Sequence, residues 1–395
     1  MNMDHSEAVK QRREELERER QAKLADLQFK HDLRDKRAEQ SKEQHFQEIS
    51  EHAHASNEDV SETKARHELL EKLDAEEREF ERQNLDQDLQ QHEQRRNEEL
   101  DRVVDKQGKH CYVTGGSQGF GKSLAILLAR KGAHVTVVAR TKSQLEETIV
   151  ELKQASASPS QKFCFVPCDV SDYDSSCSAL KTASDNIGKV PDCVFTCAGY
   201  MKDARPADYE YQIQVNYLGT LYTVKEAARL MIEDEVSDGK LVLCSSLASF
   251  VGFLGMSAYT PSKCAVTGLA ECLRQEMILH GIDVHCVLPG SIQSPGLEKE
   301  NMTKPSLTRE IEGDDAMSPE AVAKGTLEGI LKRQTFIVLE PIGELLLATN
   351  TGFLPVNNYI VHVLCLALSV VLCPILRAYF DWKVRSSRSK VLKSQ

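Results

Sequence analysis

Residues 109 to 140 read KHCYVTGGSQGFGKSLAILLARKGAHVTVVAR, and the order of residue types in this stretch decides the fold. A short apolar run, HCYVT, ends in a glycine-rich turn; a helix-like stretch follows, SLAILLARKG, and then a second run rich in β-branched residues, HVTVVAR. Strands that alternate with helices of ten to fifteen residues build βαβ units and a parallel sheet. The turn, Thr114 to Gly121, is TGGSQGFG. A pyrophosphate favours a helix N-terminus with exposed N–H groups, and Gly115, Gly119 and Gly121 let the backbone turn tightly and come close to it. A glycine-rich loop alone is weak evidence, and a tight turn without a ligand gives the same letters. Here a strand precedes it and an apolar helix follows, which is the context of a dinucleotide cradle, with Ser117 and Gln118 between the glycines.

The rhythm continues outward. SQLEETIVELKQ, KFCFVPCDV, DCVFTCAG, GKLVLCSS, SKCAVTGLAECLRQEMILHG and DVHCVLPG alternate in helical and strand character up to Glu340. Six or seven strands fit one α/β, Rossmann-type, doubly wound parallel sheet over residues 108–340. Arg140 ends the second strand, where a protein preferring NAD places an acidic residue for the ribose hydroxyls. A guanidinium there suits a 2′-phosphate, so NADPH is the expected cofactor; the plainer reading is a surface arginine. Asp169, after the third strand, is placed either for the adenine region or as a strand-end cap.

Residues 1–107 contain no glycine, proline, cysteine, tyrosine or tryptophan, and their 30 acidic and 20 basic residues account for most of the chain's formal charge of −11. Such a segment buries no core of its own. Its i,i+4 charge pairs predict a charged helical or partly disordered extension, with Leu69, Leu73 and Phe80 only approximating a heptad seam. That leaves room for a helical partner of this extension and for a homo-oligomer. His52 and His54 lack a third ligand at metal spacing and read as a solvated pair; no metal is expected. The 12 cysteines lie in apolar runs without C-x-x-C pairs, as small hydrophobes in a reducing compartment. With positive charge concentrated only at the end of the chain, nucleic acid is not an expected partner. No secretory leader pattern opens the sequence. Residues 341–395 form the third part, a membrane-associated segment and basic tail. Tyr359 to Leu376 is an apolar run interrupted only by His362 and Ser369, at the lower edge of length for a bilayer span. A re-entrant hairpin broken near Pro355 and Asn357, a helix lying in the interface and a buried soluble helix all fit it.

The proton chemistry is in LVLCSSLASFVGFLGMSAYTPSKCA, Leu241 to Ala265. Tyr259 and Lys263 are spaced Y-x-x-x-K, one above the other on a helix face. A phenol near pKa 10 is a poor acid–base group at neutral pH, and a neighbouring ammonium and a positive nicotinamide ring are both expected to favour phenolate. Ser246, thirteen residues before Tyr259 at a strand end, is placed to hold a carbonyl oxygen as charge develops.

TGGSQGFG, the AG of TCAG, VNYLG, SS followed by YTPSK, and LPGSIQSPG together resemble the short-chain dehydrogenase/reductase family, over about 230 residues. The resemblance implies an oxidoreductase with a catalytic set of Asn216, Ser246, Tyr259 and Lys263, the asparagine holding a water that links the lysine to solvent. Read without the family, Asn216 is a polar cap. Two positions depart from the pattern: Thr196 stands where the family has asparagine, and the short interval from Gly199 to Asn216 leaves little room for a helix before Asn216. A narrower resemblance, in GGSQGFGK, SAYTPSKCAVTGLAECLRQEM and SPGLEKENMTKPSLTREIEG, is to the 3-ketodihydrosphingosine reductases. It implies a long-chain sphingoid ketone as substrate, NADPH, and the cytosolic face of the endoplasmic reticulum membrane. Ser294 to Gly313 is then a substrate lid, or else an irregular connector. The alternatives are the same chemistry on another lipid-like carbonyl, such as a steroid, retinoid or 3-oxoacyl chain, and an interaction protein with a vestigial reductase domain.

Overall fold

The computed structural model describes residues 108–202, 206–313, 315–350 and 355–386; the charged stretch 1–107, with the helix expected there, lies outside them. Seven parallel strands form one sheet in the order β3-β2-β1-β4-β5-β6-β7. They are β1 His110–Thr114, β2 His134–Ala139, β3 Phe163–Pro167, β4 Cys193–Thr196, β5 Lys240–Cys244, β6 Asp283–Leu288 and β7 Phe336–Val338. The first crossover helices are α1 Gly119–Arg130, α2 Lys142–Gln154 and α3 Tyr173–Ile187. Then come α4 Pro206–Gln212, a π-helical turn Ile213–Leu218 and α5 Gly219–Glu233. After β5 follow α6 Tyr259–Ile278, α7 Pro295–Thr303, α8 Ser306–Glu312 and α9 Pro319–Leu331. The chain's direction across the sheet reverses between β1 and β4, so their carboxyl ends open the crevice where such sheets bind ligands.

Both faces of the sheet are covered, which is why its strands are apolar at nearly every position rather than alternately. On one face Leu124, Leu128, Leu145 and Leu327 of α1, α2 and α9 meet Cys111, Val113, Val137 and Val287. On the other, Leu180, Val224 and Leu273 of α3, α5 and α6 meet Tyr112, Leu243 and Val284. Asp172 caps α3 by accepting from Ser175 N at 2.7 Å, and Gly188 ends it at φ 91°. Ser294 and Ser318 cap α7 and α9, each followed by proline in the first turn. All 12 cysteines are free; Cys111, Cys193 and Cys286 are buried as expected, whereas Cys264 and Cys272 are exposed.

One polar chain crosses the lower sheet. The His110 imidazole lies 3.0 Å from the Lys189 carbonyl through Nδ1 and 2.8 Å from Thr136 Oγ1 through Nε2. A carbonyl only accepts, so Nδ1 carries the proton and Nε2 accepts from the threonine. Burial, opposed by the Lys189 hydrogen bond, pushes the His110 pKa down from 6.5 to about 4. Between those values the unfolded chain binds a proton that the folded chain refuses. Stability is therefore full above pH 6.5 and falls as the pH drops toward 4, by roughly 3 kcal/mol from this group. Urea unfolding followed from pH 7 to pH 4.5 shows this slope, and His110→Gln flattens it.

Near the end of the described chain, α10 Pro341–Asn350 and α11 Tyr359–Ser386 form a helical hairpin. Its arms differ. Leu345, Leu347 and Ala348 of α10 are buried, and a Cβ on Gly343 would lie 3.0 Å from Val338 Cβ, so this arm packs tightly on the reductase body. The chain breaks where Asn357 donates to the Phe336 carbonyl at 2.8 Å and Asn358 accepts from Ile360 N at 3.0 Å. The second arm is one continuous helix of 28 residues that contains Pro374, longer than the apolar run alone implies. It has a window of mean hydropathy 2.5 of which only 6% is buried, and it is long and apolar enough to cross a membrane. That composition supports membrane association. Its last turns return to the body: Phe380 meets Phe253 edge-on at 5.9 Å, and Lys383 pairs with Glu310 of α8 at 2.9 Å.

Candidate active site

The crevice is built first by backbone. Gly115 has φ +68°, and a Cβ there would come within 2.7 Å of Ala198 N at the end of β4. A Cβ on Gly121 would strike the Gly115 carbonyl. Only glycine at these positions lets loop, helix and strand close together. Gln118 caps α1 with extended backbone and no side-chain hydrogen bond to it, so the helix's first N–H groups face outward as an anion site requires. Ser117 and Gly119, the latter at φ +55°, complete the turn. This cradle fits a dinucleotide.

Arg140 lies exposed at the end of β2, where its guanidinium donates to the Tyr211 hydroxyl of α4. Tyr211 stands edge-on to Tyr200 with ring centroids 5.0 Å apart. Asp169 spends Oδ1 on an Asx turn, accepting from Ser171 N at 3.0 Å and Ser171 Oγ at 2.7 Å. That is the capping role that the sequence also offered for it.

Tyr259 opens α6 and Lys263 lies one turn on, with its Nζ 5.7 Å from the Tyr259 ring centroid and donating to the Cys244 carbonyl at 3.0 Å. Ser246 sits just past β5. Its Oγ accepts from Ala248 N at 3.1 Å, lies 3.3 Å from the Pro289 carbonyl and also reaches the Tyr259 phenol. Asn216 is fully buried in the π-helical turn. Its amide accepts from Tyr200 N at 2.8 Å and donates to Tyr200 O and Ser262 Oγ, each at 2.9 Å. A Cβ built on Gly199 would lie 3.7 Å from both Asn216 Oδ1 and Lys263 Nζ, so the two converge on one point. The structure thus brings together all four residues of the expected set.

Comparison with known proteins agrees with this geometry. The family profile for short chain dehydrogenases matches residues 109–305. A 3-ketodihydrosphingosine reductase of Cryptococcus neoformans is 38% identical over 296 residues, covering 73% of this chain and 88% of that protein. This chain belongs to the short-chain dehydrogenase family. The mouse (Mus musculus) 3-ketodihydrosphingosine reductase is 33% identical over 258 residues, covering 64% of this chain and 77% of its own. Among solved structures, levodione reductase superposes with a TM-score of 0.53 at 20% identity, covering 58% of this chain and 95% of its own, a likeness of fold. The short-chain dehydrogenase fold takes a nicotinamide cofactor, NAD or NADP, and the cradle above has the shape for it.

Three features of this dehydrogenase refine the expected site. A helix does precede Asn216: α4 fits within the short interval and runs into the π-helical turn, whose extra residue per turn points Asn216 inward. The protein's own groups around the Tyr259 phenol favour its protonated form. Burial, then the nearby Glu300 and Cys244, hold its pKa well above the ordinary value, and the Ser246 hydrogen bond opposes them only in part. Tyr259 is therefore a protonated acid at neutral pH, the form a reduction consumes. Thr196, in place of the family's asparagine, has a buried hydroxyl without a hydrogen-bond partner among the described residues.

Sequence reasoning missed the polar interior of the segment Ser294 to Gly313, which folds as α7 and α8. Ser294 starts it beside the cradle, where a Cβ on Gly119 would lie 3.0 Å from Ser294 Cβ. Thr308 Oγ1 donates to the Leu254 carbonyl at 2.5 Å, tying α8 to the loop before Tyr259. Between these ties, Lys304 Nζ lies 2.5 Å from Glu300 Oε1 and 2.6 Å from Glu312 Oε2, with its side chain 1% exposed. The i,i+4 spacing of Glu300 and Lys304 was the available signal; Glu312 comes from the next helix.

Proposed function

We propose that this oxidoreductase uses NADPH to reduce the 3-ketone of 3-dehydrosphinganine (3-ketodihydrosphingosine) to sphinganine, at the cytosolic face of the endoplasmic reticulum membrane. The observation that carries the reading is the match to 3-ketodihydrosphingosine reductases over 73% of the chain, together with a complete proton-transfer set.

The bound cofactor supplies the hydride that C3 receives. Gly115, Ser117, Gln118, Gly119 and Gly121 hold its pyrophosphate on the α1 N-terminus. Arg140 takes the 2′-phosphate, Asp169 borders the adenine, and Lys263 and Tyr259 face the nicotinamide ribose. Tyr259 gives its hydroxyl proton to the forming alkoxide, and Ser246 donates a hydrogen bond to the same oxygen as its charge grows. The product alcohol then has one new C–H and one new O–H bond, and Tyr259 is left as phenolate. Lys263, one turn away and buried, stabilises that anion. Asn216 keeps the route by which the proton is replaced, because its amide fixes Tyr200 and Ser262 on either side of it.

A long-chain amino ketone stays in the bilayer, so an enzyme tethered there meets it at raised effective concentration. The exposed apolar face of α11 suits that tether, with Tyr379 and Trp382 exposed at its far end as interfacial anchors. The test is genetic: the chain restores growth to cells that lack sphinganine synthesis. A well-expressed, membrane-bound chain that fails to restore it contradicts the proposal.

A further inference from the structure

The lid carries a charge that packing does not require. Helix α7 has no buried side chain, so the lid is not held over the site by an apolar face of that helix. What is buried is Lys304, between Glu300 and Glu312, with the two glutamates 21% and 16% exposed. Two ionised carboxylates sharing one ammonium carry a net negative charge, and burial raises the Glu300 pKa against the pull of Lys304. Such clusters cost free energy relative to apolar packing, and well-packed apolar side chains often replace them without loss of stability.

The cluster adjoins the reacting groups: Thr308, between Lys304 and Glu312, donates to the Leu254 carbonyl five residues before Tyr259, and Ser294 at the head of the lid lies against Gly119 of the cradle. Glu300 acts on the Tyr259 phenol and feels Lys263, and Glu312 also acts on the phenol. Lys263 is already engaged with the Cys244 carbonyl and Lys304 with both glutamates. A further cation entering beside Tyr259 would balance the cluster. On the reading of the substrate given above, on which this inference rests, the carbon next to the ketone carries an ammonium. Once the ketone oxygen lies against Tyr259 and Ser246, that ammonium is only two bonds from the reacting carbon.

We propose that Glu300 binds the substrate's C2 ammonium, with Lys304 and Glu312 as positioning residues, so that the lid selects amino ketones over neutral ketones of equal length. A ketone without the amine leaves the buried carboxylate uncompensated and is discriminated against. Lys304 meets Glu300 at Oε1, and a carboxylate has lone pairs on both oxygens with which to accept from an incoming donor.

The experiment uses the full chain with NADPH and two substrates, 3-dehydrosphinganine and the 1-hydroxy-3-ketone of the same length with hydrogen in place of the amine. Glu300→Gln raises KM for the amino ketone roughly 10- to 100-fold, the range of a charge-assisted hydrogen bond, and moves KM for the neutral ketone less than about threefold. Glu300→Asp, which keeps the charge one methylene further back, gives a smaller rise in the same constant. Turnover of the neutral ketone reports that each variant is folded. Equal loss on both substrates, or no change on either, overturns the inference. Failure of the unaltered chain to reduce 3-dehydrosphinganine while it reduces the neutral ketone overturns the substrate reading instead.

Discussion

Tyr259→Phe lowers kcat for ketone reduction by about 10³-fold, within the range of a lost general acid, and leaves NADPH binding within about twofold. The substitution removes one oxygen. The ring remains at the start of α6, and the cradle residues on α1 and the loop before it are untouched. Tyr259 is the group whose burial and neighbours keep a proton ready at neutral pH, and Ser246 can hydrogen-bond an alkoxide without replacing that proton. Cofactor fluorescence titration and single-turnover kinetics separate the two effects. A variant that retained more than a tenth of wild-type turnover would place the acid elsewhere.

Arg140→Asp reverses the cofactor preference, lowering the ratio of kcat/KM for NADPH to that for NADH by roughly 100-fold or more. The figure follows from losing charged hydrogen bonds worth about 1.5–3 kcal/mol each and placing a carboxylate where a dianionic phosphate must sit. Arg140 is exposed at the strand end, donates to the Tyr211 hydroxyl and pairs with no carboxylate among the described residues, which suits it to act on a ligand. Steady-state kinetics with both cofactors gives the ratio. A variant that kept its preference for NADPH would show that other groups recognise the phosphate.

The sheet was legible because its signals are local. The β1–α1–β2 unit lies within 30 residues, its strands are apolar on both faces, and its turn needs glycine where β4 approaches. Tyr259 and Lys263 were legible for the same reason, being one helical turn apart. Groups joined across distance were not. Arg140 meets Tyr211 from 71 residues away, and Asn216 reaches Ser262 across 46. Glu312 joins Lys304 only because α7 and α8 fold back on each other. The hairpin at the end of the chain was half legible: the break near Asn357 is written in the residues, but that α10 packs on the body while α11 meets it only through its last turns depends on contacts far apart in the sequence.

The central claim is tested most directly by incubating the purified full chain, in lipid vesicles, with 3-dehydrosphinganine and NADPH and measuring sphinganine by mass. The account predicts one sphinganine formed for each NADPH oxidised, with product absent from the Tyr259→Phe variant. A chain that binds NADPH and reduces another lipid ketone but forms no sphinganine would contradict it.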